Sequence, residues 1–185
     1  LGYPDHVGGI GDDETPSSVG DIDLGGRIRQ IALGYYHTCA LLDTGSVRCW
    51  GNNGNGALGY PGLSVLSDPS TAPDVDVGGS VTQITAMALG TCALLDAGTV
   101  RCWGREVYGH NDGATENIGD DETPASAGDI DLGEPVQRLW SGAYHSCAQL
   151  RSGSIRCWGP GRSGQLGYAN TEAIGDDEIP ASAGD

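Results

Sequence analysis

Six cysteines, two histidines that each precede one of them, and several runs of aspartate and glutamate are the side chains of this chain with chemistry to offer. The cysteines fall as Cys39 and Cys49, Cys92 and Cys102, and Cys147 and Cys157, each pair ten positions apart. Thiols can bind zinc or close disulfides. Zinc chemistry usually presents closer pairs such as Cys-x-x-Cys, and none is present. The midpoint of each pair falls inside Asp43-Thr44-Gly45, Asp96-Ala97-Gly98 or Arg151-Ser152-Gly153. Each triplet reads as a three-residue hairpin loop with glycine in the left-handed position. Such a loop sets Leu42 against Ser46, Leu41 against Val47 and Cys39 against Cys49, the last two in the close, non-hydrogen-bonded register. Three disulfides are therefore expected, Cys39–Cys49, Cys92–Cys102 and Cys147–Cys157, one within each hairpin. They imply an oxidising compartment, hence an extracellular or cell-surface protein.

The acidic runs are candidate calcium ligands, because that ion takes six to eight oxygens. They are Asp12, Asp13 and Glu14 with Asp21 and Asp23, and Asp120, Asp121 and Glu122 with Asp129 and Asp131. The spacing is not an EF-hand loop. Asp21-Ile22-Asp23-Leu24 equally describes a half-buried edge strand whose charges guard against stray pairing. Calcium and a solvated edge both stand as readings, and no other cofactor is expected. His37 and His145 could be ligands or proton carriers. The second unit carries Gly90 at that position, so a structural role, hydrogen-bonding between neighbouring units, is expected. Trp50, Trp103 and Trp158 end their hairpins on the face opposite the disulfides and are expected to pack between units. No Gly-x-Ser-x-Gly elbow, phosphate-cradling glycine loop or His-Glu-x-x-His motif occurs, so catalysis is not expected.

The elements that must hold these residues are short and repeated. The Cys, Gly and Trp positions advance by 53 and then 55 residues, the period of one supersecondary unit. A second block, Ile10 to Pro16, returns at Ile118 to Pro124 and at Ile174 to Pro180. Runs over Ile28 to Leu33, Thr38 to Leu42 and Ser46 to Trp50 read as strands, with a fourth expected around Asp21 to Leu24. Of 185 residues 32 are Gly and nine Pro, which disfavours long helices. A net charge of -16, with all nine cationic side chains Arg, excludes nucleic acid as a partner, because phosphate binding needs surplus cations. No run of about 18 apolar residues exists to insert into a membrane.

Gly34-Tyr35-Tyr36-His37-Thr38-Cys39-Ala40-Leu41-Leu42, followed by Gly45, Val47 and Trp50-Gly51, resembles the regulator of chromosome condensation repeat. The likeness extends through Gly142 to Cys147 with Gly153 and Trp158-Gly159, and through the degenerate second unit. It is closest to the secreted, disulfide-containing bacterial version of that family. The resemblance implies an all-β, partial β-propeller of three four-stranded blades plus part of a fourth. The blade repeats are 1–57, 58–107 and 108–165, with the fourth beginning at 166–185. The family's rings need about twice these residues, so neighbouring sequence or further copies of the chain are expected to complete one. The expected function is a secreted protein-interaction module, and the alternative is a calcium-stabilised adhesive protein that assembles with itself. Loops 51–73, 104–117 and 159–173 are expected to supply the contact surface through Tyr60, Tyr108, Arg162 and Tyr168, joined by Trp140.

Overall fold

The computed structural model describes residues 2–3, 9–11, 13–105, 107–110 and 116–184. Within them the chain folds into three antiparallel sheets, one per repeat. The first contains β1 (Ile28–Leu33), β2 (His37–Leu42), β3 (Val47–Asn52) and β4 (Val65–Leu66) in that order. The second contains β5 (Val81–Ala86), β6 (Gly90–Leu95) and β7 (Val100–Gly104). The third contains β8 (Val136–Ser141), β9 (Ser146–Leu150) and β10 (Ile155–Trp158).

The hairpins carry the expected register. Leu42 N–H donates to Ser46 O at 2.9 Å, and Gly45 sits at φ 87°, a conformation costly for any residue with a Cβ. Cys39 then faces Cys49, Cys92 faces Cys102 and Cys147 faces Cys157, and all three pairs are disulfide-bonded.

The fourth strand is not where periodicity placed it. Asp21 to Leu24 forms no strand. The outer strand of the first sheet is Val65–Leu66, which pairs with Gly51 and Asn52. In the other two sheets single bridges, Gly104 to Ile118 and Gly159 to Ile174, hold that place, so those sheets have three strands rather than four. Asp74 to Val77 and Asp129 to Leu132, the counterparts of Asp21 to Leu24, are links between blades. Each touches a neighbouring β-strand through one backbone bond, Val75 N–H to Val47 O and Ile130 N–H to Val100 O. One short α-helical turn, Pro124–Ala127, also appears where no helix was expected.

Blades stack through apolar faces. Leu41, Val47, Ile84, Val100, Trp103, Leu139 and Leu150 belong to one buried cluster that crosses all three sheets. Each such aliphatic side chain contributes about 1.5–3 kcal/mol when removed from water. Backbone bonds tie the stack at both ends: Val81 N–H to Gly45 O and Val136 N–H to Gly98 O at the hairpin tips, and Tyr35 N–H to Ala88 O and Ala88 N–H to Ala143 O at the opposite turns.

Candidate interaction surface

The seam between the first two blades gathers several of the residues singled out above. His37 lies buried at the start of β2, and its Nε2 stands 2.9 Å from Oγ1 of Thr91 on the next blade. A Cβ at Gly34 would come within 2.1 Å of the ring, so this position has room only for glycine. Burial lowers the imidazole pKa to about 4, against a smaller opposing contribution from a backbone hydrogen bond at Gly90. The ring is thus held neutral between blades. Thr91 Oγ1 also donates to Ala57 O, and Trp103 Nε1 donates to the same carbonyl at 3.0 Å. His145 is half-buried against Gly142. Trp50 and Trp158 are buried like Trp103, Trp50 in a small cluster with Leu24, Ala40 and Leu42.

The carboxylates do not converge as one set. Asp12 lies outside the described residues. Asp13 and Glu14 sit in the adjoining turn, exposed and half-buried. The carboxylate oxygens of Asp120, Asp121 and Glu122 lie within 4.8 Å of one another, and those of Asp176, Asp177 and Glu178 form a second such group. Burial, then the Asp121 carboxyl, raises the pKa of Glu122. Glu178 is raised likewise by burial and Asp177. Both turns are internally braced, with Gly119 N–H donating to Glu122 and Gly175 N–H to Glu178.

Asp129 and Asp131 are engaged elsewhere. Arg101 Nε donates to Asp129 at 2.7 Å, and Asp131 accepts from Gly133 N–H. The first blade repeats the pattern with Arg48 and Asp74 at 2.8 Å, a contact that holds the Asp74 carboxyl below its usual pKa. Asp23 accepts from Gly25 N–H, and Asp21 is exposed. Of the five expected ligands in the 120–131 segment, Asp120, Asp121 and Glu122 lie together, while Asp129 serves an ion pair and Asp131 a turn.

The aromatic candidates divide in the same way. Tyr60 is buried, accepting from Cys49 N–H at 3.0 Å and donating to Pro73 O at 2.7 Å. Burial pushes its phenol up to about 12. Tyr168 holds the equivalent place, half-buried, with its hydroxyl accepting from Cys157 N–H. Tyr108 packs against the core. The loop from 51 to 73 is thus folded onto its blade by Tyr60 and by the buried Asn53, which donates to Tyr60 O and Leu63 O. The burial of Tyr60 corrects the expectation that it forms contacts, while Tyr108 and Tyr168 keep part of their surface exposed. Trp140 and Arg162 are exposed.

The large exposed aromatics that sequence reasoning missed are Tyr35, Tyr36 and Tyr144. They occupy the turns between the first and second strands of blades one and three, and Tyr35 and Tyr36 meet edge to face with centroids 6.4 Å apart. The turns of the three blades are joined by the Tyr35–Ala88 and Ala88–Ala143 backbone bonds, so these rings share one rim of the stack. Their signal is position, one or two residues after a glycine at a tight turn, Gly34 or Gly142. Beside Tyr36 a groove of about 690 Å³ runs along the outer face of the first blade, lined among others by Leu33, Thr38, Trp50, Asn52 and Val65.

Comparison with known proteins agrees with this architecture. Residues 28–57 match the regulator of chromosome condensation (RCC1) repeat. The chain is 30% identical over 148 residues to the probable E3 ubiquitin-protein ligase HERC4 of Rattus norvegicus, covering 78% of this chain and 13% of that protein. It is 30% identical over 169 residues to the mitochondrial RCC1 domain-containing protein RUG3 of Arabidopsis thaliana, covering 83% of this chain and 37% of the relative. The crystal structure of Prp20p from Saccharomyces cerevisiae, solved with its binding properties to Gsp1p and histones, superposes with a TM-score of 0.64 at 18% identity. That match covers 83% of this chain and 37% of Prp20p, and yeast RCC1 bound to Kap60 superposes equally well at 16% identity. The chain therefore spans well under half of the relatives it matches.

Proposed function

This chain belongs to the RCC1-type β-propeller family, and on that premise we propose that it works as a non-enzymatic protein-interaction module of an extracellular or cell-surface protein. The observation that carries the reading is the aromatic rim. Tyr36 and Tyr144 are 70% and 49% exposed on turns that backbone bonds hold in line, whereas Tyr60 is buried. Aromatic side chains on a rigid support supply contact area at little entropic cost, the property of interface anchors. Protein binding by yeast RCC1, crystallised with Kap60, supports the general role. The extracellular setting is supported by all six cysteines being paired.

The test captures binding proteins from the medium and cell envelope of the producing organism on immobilised chain, comparing wild type with a Tyr36→Ala, Tyr144→Ala double variant. A protein retained by wild type and lost with the variant, at unchanged melting temperature, supports the reading. Identical capture by both overturns it.

A second reading, calcium-held stabilisation, is favoured by the close carboxylates of Asp120, Asp121 and Glu122 and their repeat at Asp176 to Glu178. Here calcium would raise the melting temperature and chelator lower it, while Glu122→Gln with Glu178→Gln would abolish the difference. An unchanged melting temperature in chelator removes this reading and leaves the first intact.

A further inference from the structure

We propose that the hairpin-tip end of the stack, opposite the aromatic rim, binds an extended, lysine- or arginine-bearing segment of a partner protein in two grooves at the seams between blades. Both seams lie inside the chain, and each groove is walled by a hairpin tip and by the link to the next blade. The first groove, of about 260 Å³, runs between residues 44–46 and 74–80. The second, of about 330 Å³, runs between 98–100 and 129–136. They open on either side of the second hairpin tip, whose Asp96 N–H donates to Ser80 O in the first groove and whose Gly98 lines the second. A segment that crosses this tip enters both.

Each groove joins an aliphatic lining to one carboxylate that no cation holds. Val75 and Val77 line the first, Ile130 and Leu132 the second, and all four are buried. Alternation along the links turns Asp76 and Asp131 outward, and both are exposed. One oxygen of each accepts from a backbone N–H two residues on, Gly78 at 3.2 Å and Gly133 at 2.9 Å. Neither makes an ion pair among the described residues. The preceding aspartate of each link shows what such a carboxylate takes up. Arg101 Nε donates to Asp129 at 2.7 Å while its Nη1 donates to Val77 O at 2.6 Å. Arg48 does the same with Asp74 at 2.8 Å and Leu24 O at 2.7 Å. The first aspartate of each Asp-x-Asp thus holds an arginine of the chain's own, and the second presents the same group to solvent.

These features select a cation on a long stem. Lysine and arginine lay their methylenes along apolar surface and keep the charged head at its polar edge, which is the layout of both grooves. An aliphatic side chain would leave the carboxylate without a partner, and an acidic one would meet repulsion. The surrounding charge favours the same ligand. Asp43 and Asp96 are exposed on the first two hairpin tips, and Glu134 lines the second groove. At this end they and the two groove aspartates outnumber Arg27 and Arg151, whose backbones bond to the same tips and links. Such complementarity sets specificity and speeds encounter more than it adds affinity.

Fluorescence anisotropy with a labelled peptide of alternating glycine and lysine tests this on the whole chain at low salt. Wild type is expected to bind it. Asp76→Asn with Asp131→Asn keeps the oxygen that accepts from Gly78 or Gly133, so the turns survive and an unchanged melting temperature confirms it. This pair should weaken binding about tenfold, each carboxylate contributing as an exposed ion pair does. Glu116→Gln with Glu172→Gln removes as much charge from exposed positions on the loops that follow Trp103 and Trp158, and should leave binding within about twofold of wild type. A second peptide with diaminopropionic acid in place of lysine carries the same charge on a single methylene and should bind more weakly, because its stem is too short for the aliphatic lining. No binding by wild type, equal loss in the two double variants, or equal binding of the two peptides would each overturn the proposal. Tyr36 and Tyr144 are untouched throughout, so failure here leaves partner capture by the aromatic rim standing.

Discussion

Nε2 of His37 and Oγ1 of Thr91 meet 2.9 Å apart across the seam between the first and second blades, buried from water on both sides. The pair makes the seam sensitive to acid. Burial lowers the folded-state pKa of His37 from 6.5 to about 4, so the unfolded chain binds the extra proton first. Stability is therefore unaffected by this group above pH 6.5, falls as pH drops from 6.5 towards 4, and loses no more to it below. The shift corresponds to about 3 kcal/mol. Asp74, held ionised by Arg48, adds a loss in the same direction at lower pH, while Glu122 and Glu178, with raised values, act the other way. Urea titrations of wild type and His37→Gln across this range isolate the histidine. The difference between them should shrink as pH falls, and a constant difference would sink the assignment.

Thr91 has a second partner, Ala57 O at 3.1 Å, so its hydroxyl joins a ring, a loop carbonyl and the indole of Trp103 at one point. Thr91→Val keeps the shape and removes the hydroxyl, leaving His37 Nε2 buried without it. A loss of about 1–3 kcal/mol is expected, read as a lower urea midpoint with unchanged slope.

Amide side chains lace the same seams. Gln30 donates to Ile84 O at 2.6 Å and accepts from Ile84 N–H at 3.0 Å, and Gln83 makes the same pair of contacts with the backbone of Leu139. Nowhere else do the first strands of neighbouring blades exchange both backbone groups through one side chain among the described residues. Gln30→Ala leaves a part-buried N–H and carbonyl unpaired at once, and should cost about 1–3 kcal/mol. Hydrogen exchange of the Ile84 amide should rise by a larger factor than that of Ala93 on the adjacent strand. Equal changes would mean that the clamp is not local.

What the residues disclose in advance depends on range. The hairpins are legible because the glycine at φ 87° and the Cys–Cys spacing act within ten positions, and turn chemistry then sets every partner along β2 and β3. The outer strand is not, because Val65–Leu66 is two residues long and is defined by Gly51 and Asn52 across a loop. Asp21 to Leu24 alternates as a strand would, yet its counterparts Asp74 and Asp129 alternate in order to reach Arg48 and Arg101. Tyr60 in a polar, glycine-rich loop read as exposed. Its burial is fixed by Cys49 and Pro73, partners that no local pattern announces.

The two classes of tyrosine should separate cleanly in experiment. Tyr60→Phe removes both hydroxyl contacts and leaves Cys49 N–H without its acceptor, so a loss of about 1–3 kcal/mol in stability is expected with no specific loss of binding. Tyr36→Ala touches an exposed ring and should change stability by less than about 0.5 kcal/mol while weakening partner capture. Thermal melts and binding measured on the same preparations check both. A stability loss at Tyr36 as large as at Tyr60 would remove the distinction.

The three disulfides close loops of equal length, each spanning ten positions, so chain entropy assigns them the same benefit, about 2–3 kcal/mol apiece. Their surroundings differ. Cys92 and Cys102 are 0% and 1% exposed in the seam between the second and third blades, whereas Cys147 is only half-buried on the open face beside Trp140. Replacing a buried pair by alanine also removes sulfur from a close-packed interior, which adds a cavity cost that the open face can relieve by relaxation. Cys92→Ala with Cys102→Ala is therefore expected to lower the urea midpoint more than Cys147→Ala with Cys157→Ala, although loop lengths match. Intact mass under non-reducing conditions confirms that the remaining two bonds have formed. Equal midpoints would show that loop entropy alone governs, and a larger loss at Cys147 and Cys157 would mean that the third blade's open face is covered in solution.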